Sequence, residues 1–155
     1  MKHQINPLTF HEVVASRGVT EPEYSLRNSV AYHVHHIFRD DLIGDLYGSI
    51  ARYEFLPGAA TTTGLDGEER RAAARITYDF GKHTSLRLLG VYYDFNSFSP
   101  TGEDYREWIG RSELYYHLSE TVTSRLIYQY RQRDSDTAAR SYFENLLVWT
   151  VTKYF

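Results

Sequence analysis

The chain has 155 residues, which suits one domain with a hydrophobic core, and 15% of its residues are aromatic, including 14 Tyr. Its net charge of -3, with both signs interspersed, excludes the basic field that a nucleic-acid partner requires. The absence of cysteine excludes disulfides, thiolate metal sites and cysteine nucleophiles, and the absence of a long apolar run excludes a transmembrane helix. A transmembrane β-barrel stays possible, because its strands alternate apolar and polar residues.

Residues 1–22 carry the weakest strand signal in the chain. A first strand is expected near residues 4–16, although Pro7 cannot donate a ladder hydrogen bond and suits an edge or a bulge. The N-terminal sequence MKHQINPLTFHEVV has no apolar stretch of the length of a signal peptide. If the protein is exported, we expect this to be a mature or trimmed chain, or the C-terminal part of a longer one.

Most of the remaining chain alternates apolar and polar residues with the period of two that is typical of a strand. Residues 24–38 place Val30 and Tyr32 on one face and His33 and His35 on the other. The same clean alternation occurs in residues 105–118 and 121–133. Residues 41–56 and 84–97 carry apolar groups on both faces, and there we assign Leu42, Leu46, Ile50, Leu86, Leu88 and Tyr92 outward.

Residues 68–75, EERRAAAR, have the composition of a short helix. Read as a strand, however, they continue into Ile76 and Phe80 on one face, with Arg71 and Arg75 on the other. Because this alternation continues past the alanines, we predict a strand.

The connections between these segments differ in length in a regular way. Short and long connections alternate, which places the long ones at one end, as in outer-membrane barrels. The sequence therefore predicts an all-β fold, an antiparallel up-and-down transmembrane β-barrel of about eight strands, as a single domain over residues 1–155. The short connections lie near 39–41, 81–83 and 119–120, and the long ones near 57–67, 96–104 and 133–140.

The closing segment SYFENLLVWTVTKYF ends on an aromatic residue and places Leu147, Trp149, Val151 and Phe155 on one face. It resembles the terminal strand that the outer-membrane barrel-assembly machinery recognises. Lys153 departs from that pattern, where an aromatic residue is usual, although its ammonium can extend to water. The resemblance implies that barrel-assembly machinery and outer-membrane lipid are partners.

Residues 41–155 resemble the beta-barrel porin families of Gram-negative outer membranes. The stretches that carry the resemblance are DLIGDLYGSIARYEF, ITYDFGKHTSLRLLGVYYDFNS and ELYYHLSETVTSRLIYQYRQRDSD, together with the closing strand. The resemblance implies localisation in the cell outer membrane and a transport or surface role, and it supplies no catalytic residues. Many members are longer, so further strands or subunits are expected if this chain is part of a larger barrel.

If the polar faces point inward, they form a charged lumen. A hairpin that turns at Ser119–Glu120 brings Glu113 near Arg125 and Glu107 near Arg131. Because an eight-stranded barrel is just wide enough for its own side chains, the sequence favours a plugged network of paired charges over a conducting pore. The predicted lumen charge network consists of Arg27, Asp45, Arg75, Arg87, Glu107, Arg111, Glu113, Arg125, Arg131 and Glu144.

Two further groups of residues have the composition of a chemical site. His33, His35 and His36 form a cluster in which His33 and His35 share a strand face, at a spacing that can hold a metal ion if a third ligand arrives. Ser29, His33 and Asp45 include the residue types of a hydrolase triad. Both patterns arise readily by chance in a barrel rich in Ser and His, so we predict no metal site, no cofactor and no catalytic residues.

The membrane hypothesis predicts aromatic residues at the two lipid–water interfaces. The alternative is a soluble lipocalin-like barrel that carries an apolar ligand, in which the apolar faces point inward. A barrel with its apolar faces outward and one with its apolar faces inward have the same alternation of apolar and polar residues. The sequence pattern alone therefore does not distinguish the membrane barrel from the lipocalin-like barrel. The predicted interfacial aromatics are Tyr105, Trp108, Tyr142, Trp149 and Tyr154.

Overall fold

The computed structural model describes residues 1–20, 25–55, 66–100 and 102–154. They form one antiparallel sheet in which nine strands follow one another in chain order, so the predicted all-β, up-and-down fold is confirmed. The sheet is not closed, and its edges are the first and the last strand. The strands are β1 (Lys2–Asn6), β2 (Thr9–Thr20), β3 (Ser25–Arg39), β4 (Leu42–Phe55), β5 (Gly67–Asp79), β6 (Thr84–Ser97), β7 (Tyr105–Ser119), β8 (Val122–Ser135) and β9 (Tyr142–Lys153).

The structure has nine strands where about eight were expected, because the predicted first strand is divided into β1 and β2. Pro7 lies in the turn between them, where its missing N–H costs no ladder hydrogen bond. The Leu8 amide donates to Oδ1 of Asn6 at 2.9 Å, which closes the turn locally.

The segment EERRAAAR lies in β5, so the prediction of a strand here is confirmed. Each of its residues has partners on both sides, in β4 and in β6. Two flanking strands therefore override the helical preference of the alanines.

The three longest connections lie at one end of the sheet, as the sequence predicts. One end of the sheet, the short-turn end, carries the connections at 7–8, 40–41, 80–83 and 120–121. Gly81 in the third of these has φ +88°, a conformation that favours glycine. At the other end, the long-loop end, the described connections are 98–104 and 136–141, and residues 21–24 and 56–66, of which only Asp66 is described, join the remaining strands.

No helix among the described residues is long and apolar enough to cross a membrane. The helical structure of this part of the chain is one 3₁₀ turn, Ala138–Arg140, in a connection at the long-loop end.

The two faces of the sheet have opposite character. The inner face carries Asp45, Glu107 and Glu113, and the outer face carries Leu46 and Trp108. The backbone of each strand approaches only those of its sequence neighbours. No second layer of described residues therefore covers the inner face. Its side chains therefore bury one another, which requires the sheet to curl with this face concave. The described side chains that are at most 9% exposed all lie on it: Ser25, Asp45, Ser49, Ala51, Tyr53, Val91, Phe95, Glu107 and Glu113.

The outer face carries a band of exposed apolar side chains, which we call the belt. It spans Leu42–Ile50 on β4, Trp108–Leu118 on β7 and Val122–Tyr130 on β8, counting the outward residues of each. Towards the long-loop end the outer face becomes polar, with ion pairs such as Arg70–Glu68 at 2.8 Å. The belt therefore occupies the part of the sheet nearer the short-turn end.

The upper boundary of the belt is oblique to the hydrogen-bond register. On β4 the run of outward residues without a polar side chain ends at Ile50, and on β9 it ends at Leu147, beyond which Asn145 separates it from Phe143. Leu147 is connected to Gly44 of β4 by the paired residues of the strands between them. Gly44 is six residues from Ile50. The paired residues on the way are Tyr128, Ser112, Leu88 and Ile76. Six residues rise about 20 Å, and five strand spacings measure about 24 Å, so the belt makes an angle of about 40° with the register.

Candidate functional site

The charged side chains of the inner face are the candidate functional site. They are grouped around four carboxylates, of Asp45, Glu113, Glu107 and Glu103, each of which contacts at least one arginine. Burial of a carboxylate is costly unless it is paired, so each group is a compact unit with its own partners.

Asp45 on β4 lies between the histidines of β3 and the arginine of β5. Its Oδ1 contacts His33 Nε2 at 3.0 Å and His35 Nδ1 at 2.9 Å, and its Oδ2 accepts from Arg75 Nε at 3.0 Å. These strands are neighbours in register, with His35 opposite Asp45 and Asp45 opposite Arg75. The structure thus brings the predicted Asp45 and Arg75 together and adds two histidines to them.

Glu113 on β7 is 5% exposed and is surrounded by three arginines. Arg125 donates to its Oε2 at 3.1 Å, Arg87 lies 3.7 Å from the same oxygen, and Tyr115 also donates to it. Arg111 Nε lies 2.6 Å from Oε1 but off the hydrogen-bond direction, so that contact is ionic only. The group therefore contains three guanidiniums for one carboxylate.

Glu107, also on β7, forms a bidentate pair with Arg131 of β8. Arg131 Nη2 donates to Oε2 at 3.1 Å and Nε donates to Oε1. Glu144 of β9 lies directly opposite Arg131 in register. Glu107, Arg131 and Glu144 thus lie side by side on β7, β8 and β9.

Arg27 is the member of the predicted network that joins no carboxylate group in the described part of the chain. Its Nε donates to the hydroxyl of Tyr53 at 3.2 Å. Tyr53 belongs to a small apolar cluster at the long-loop end, where Phe95 stacks on Tyr105 at 5.4 Å between ring centroids.

Glu103 precedes β7 and ties two long connections together, a role that the sequence did not indicate. It accepts from Arg133 at 2.9 Å, from Arg140 at 2.7 Å and from the Ser135 hydroxyl at 2.6 Å. Burial alone raises the pKa of this carboxyl, but these hydrogen bonds outweigh it and lower the pKa to about 2. Burial also raises the pKa of the neighbouring Tyr105 hydroxyl.

The histidine cluster and the Ser29, His33 and Asp45 grouping are not brought together as sets in the structure. His36 lies on the outer face and contacts the Thr9 hydroxyl at 2.7 Å, away from His33 and His35. Ser29 contacts Ser16 at 2.7 Å, whereas His33 contacts Asp45. Within the described ranges, no three His, Asp or Glu side chains are arranged to hold a metal ion.

The predicted aromatic set divides between the two faces. Trp108 and Trp149 lie on the outer face. Trp108 packs on Tyr92 with 4.3 Å between ring centroids, and the indole N–H of Trp149 donates to the Ser124 hydroxyl. Tyr105 and Tyr142 lie on the inner face, so they take no part in an outer aromatic girdle. Tyr154 follows β9 and is exposed.

In the predicted C-terminal assembly strand, the outward residues Leu147, Trp149 and Val151 are 68%, 72% and 53% exposed. Phe155 lies outside the described residues. One edge of β9 pairs with β8, and its other edge has no partner strand among the described residues. The strand is thus an exposed apolar edge, a feature that proteins ordinarily cover.

Comparisons of the chain with protein-family models, with curated proteins and with solved structures give no match.

Proposed function

We propose that the chain forms an integral β-barrel of the Gram-negative outer membrane, with its belt in contact with lipid and its inner face lining a charged lumen. Its role is structural, surface-binding or porin-like. The observation that carries this proposal is the burial pattern: the buried side chains, three carboxylates among them, lie on the inner face, and the large apolar side chains lie exposed on the outer face.

This distribution is unfavourable in water. Each fully exposed leucine or tryptophan forgoes about 1.5–3 kcal/mol of burial, and contiguous apolar surface of this extent marks an interaction surface. In a bilayer the same surface contacts hydrocarbon, while a closed sheet satisfies its backbone hydrogen bonds internally. The outer face also has a shallow apolar groove of about 720 Å³ beside Gly48, Gly90 and Gly110, which acyl chains would fill.

The dimensions of the belt support the same proposal. Its segments on β7 and β8 are eleven and nine residues long, which matches the roughly 9–11 residues of a tilted transmembrane strand. The angle of about 40° between belt and register is within the usual tilt of strands in such barrels, about 35–45°. A flat sheet that lies on another protein has no need of this obliquity.

A lipocalin-like carrier requires the apolar face to be concave around its ligand. The burial pattern instead favours a curl in which the charged face is concave. The inner face is also crowded with arginine–carboxylate pairs, so we propose a plugged lumen rather than an open pore for a single chain. The proposal includes recognition of β9 by barrel-assembly machinery and kinship with the beta-barrel porin families.

The test is to refold the purified chain in plain buffer, in zwitterionic detergent and in lipid vesicles, and to record circular dichroism and particle size in each. We expect a monodisperse β-rich species only with detergent or lipid, and a mobility shift on unheated gels. A monodisperse β-protein in plain buffer would contradict the proposal.

A further inference from the structure

We propose that the inner face binds a small organic anion, with its carboxylate on Arg71 and its apolar body in the adjacent cavity. The cavity has a volume of about 390 Å³ and lies between β2 and β6. This volume is within the range of about 300–1,000 Å³ that is usual for ligand pockets. The cavity is formed by strands that pair in the described sheet, so the site requires the folded sheet and not a particular contact of its outer face.

Arg71 is the reason to expect an anion. It lies on the inner face of β5, and no carboxylate of the described residues is within ion-pair distance of it, in contrast to the other inner-face arginines of β5 to β8. Its buried Nε also finds no hydrogen-bond acceptor in the described structure. Those other arginines, each close to a carboxylate, are Arg75, Arg87, Arg111, Arg125, Arg131 and Arg133.

Two tyrosines hold the Arg71 guanidinium in place. It lies over the rings of Tyr47 and Tyr93, at 5.2 Å and 5.1 Å from their centroids. A cation between two rings is fixed in position while it keeps its charge and its donors, since the rings accept no strong hydrogen bond. A guanidinium held in this way can donate two parallel N–H hydrogen bonds to the two oxygens of a carboxylate.

The rest of the cavity suits the remainder of such a ligand. Ala73 and Leu89 supply apolar surface beside Arg71. The nearby Asp45 is already paired with Arg75 and with two histidines, so it adds little repulsion. Glu12 lies at the β2 side of the cavity, which favours a ligand with one negative charge over a polyanion.

The experiment uses the folded full chain, in whichever medium folds it, and titrates three probes by calorimetry: benzoate, its neutral analogue benzamide, and inorganic phosphate. We expect benzoate to bind, and benzamide and phosphate to bind at least about tenfold more weakly, since each lacks one of the two recognised features. Equal binding of benzoate and benzamide would overturn the role of Arg71, and equal binding of phosphate would overturn the role of the cavity.

Variants locate the site. Arg71→Gln should weaken benzoate at least about tenfold, whereas Arg70→Gln, the neighbouring residue that faces outward and pairs with Glu68, should leave it unchanged. Leu89→Trp fills the cavity while it retains Arg71, so it should also abolish binding, even if Arg71→Gln proves unstable. Equal affinity in Leu89→Trp and the wild type would exclude this cavity. The need for detergent is measured separately, so failure of this site and failure of the membrane proposal are distinguishable.

Discussion

At the scale of single residues, Glu113 is the most consequential charge on the inner face. Three guanidiniums converge on its carboxylate, and the Nε atoms of Arg87, Arg111 and Arg125 are buried without an acceptor in the described structure. Removal of the carboxylate leaves three half-buried guanidiniums without their shared partner, which destabilises the folded state.

We therefore expect Glu113→Gln to lower the free energy of unfolding by about 1.5–3 kcal/mol, less than for a fully buried pair because the three arginines are 32–43% exposed. The control is Glu68→Gln, which removes one partner of the exposed outer pair with Arg70 and should cost at most about 1 kcal/mol. Urea unfolding of both variants in the same detergent measures the difference. Equal destabilisation by the two substitutions would show that Glu113 is no more than a surface charge.

Glu103 gives a prediction about pH. Its folded pKa of about 2 is below its ordinary value of 4.5, so its ionised form stabilises the folded state above pH 4.5, and this contribution is lost as the pH falls towards 2. The wild type should thus unfold at a higher temperature than Glu103→Gln at pH 6, and the two should converge near pH 2. A difference between them that is independent of pH would contradict this assignment.

At the scale of elements, the cost of placing a charged residue on the outer face should depend on whether its position along the strand lies within the belt. Leu126 and Gln132 both point outward on β8, but Leu126 lies in the belt and Gln132 lies above it. Leu126→Arg should cost about 2–4 kcal/mol of folding free energy in vesicles, and Gln132→Arg should cost about 0–1 kcal/mol. Folding yield into vesicles over a urea series measures both. If the arginine at residue 126 is tolerated as well as that at residue 132, the belt does not face lipid.

Alternation along the chain was enough to predict the strands, because a period of two is a local property of the sequence. It also gave the pairing of Glu113 with Arg125 and of Glu107 with Arg131, since a short hairpin turn determines which residues lie nearby. The division of the first strand at Pro7 was missed, although the turn chemistry of Asn6 and Pro7 was readable.

The alternation pattern could not predict which face is concave, nor the contacts that join residues of more than two strands or connections. Which face becomes concave depends on the curl of the whole sheet, and patterning is identical for either choice. The Asp45 group needs three strands in register, and Glu103 reaches Arg140 across two connections. Arg71 was placed on the polar face, but its lack of a carboxylate partner is evident only when every neighbour is known.

At the scale of the whole molecule, the two open edges are complementary in direction and in extent. β2 and β9 run in opposite directions, as antiparallel pairing requires, whereas β1 and β9 run the same way. β1 covers β2 only from Thr9 to Glu12, and Met1 then satisfies the backbone of Val13. The remainder of β2, up to Thr20, has a free edge in the described structure.

The belt suggests the register in which these edges meet. We propose a register in which Val19 of β2 lies opposite Trp149 of β9, since this places two exposed apolar residues of the outer face side by side. In this register Ser16 lies opposite Thr152, both on the inner face, and Tyr154 lies opposite Val14, next to the position that Met1 occupies. The eight long strands β2 to β9 then close, and β1 extends the sheet at the short-turn end without being displaced.

This closure is testable because the chain has no cysteine of its own. Ser16→Cys combined with Thr152→Cys should form a disulfide within one chain in detergent or lipid, since directly paired residues have Cα atoms about 4.5–5.5 Å apart, within disulfide range. Ser16→Cys with Ser29→Cys is the positive control, because these residues are already partners. Ser16→Cys with Val148→Cys is displaced by about 13 Å along the strand and should not cross-link. Cross-linking that yields only dimers would show instead that β9 pairs with another copy, and the barrel would then be built from more than one chain.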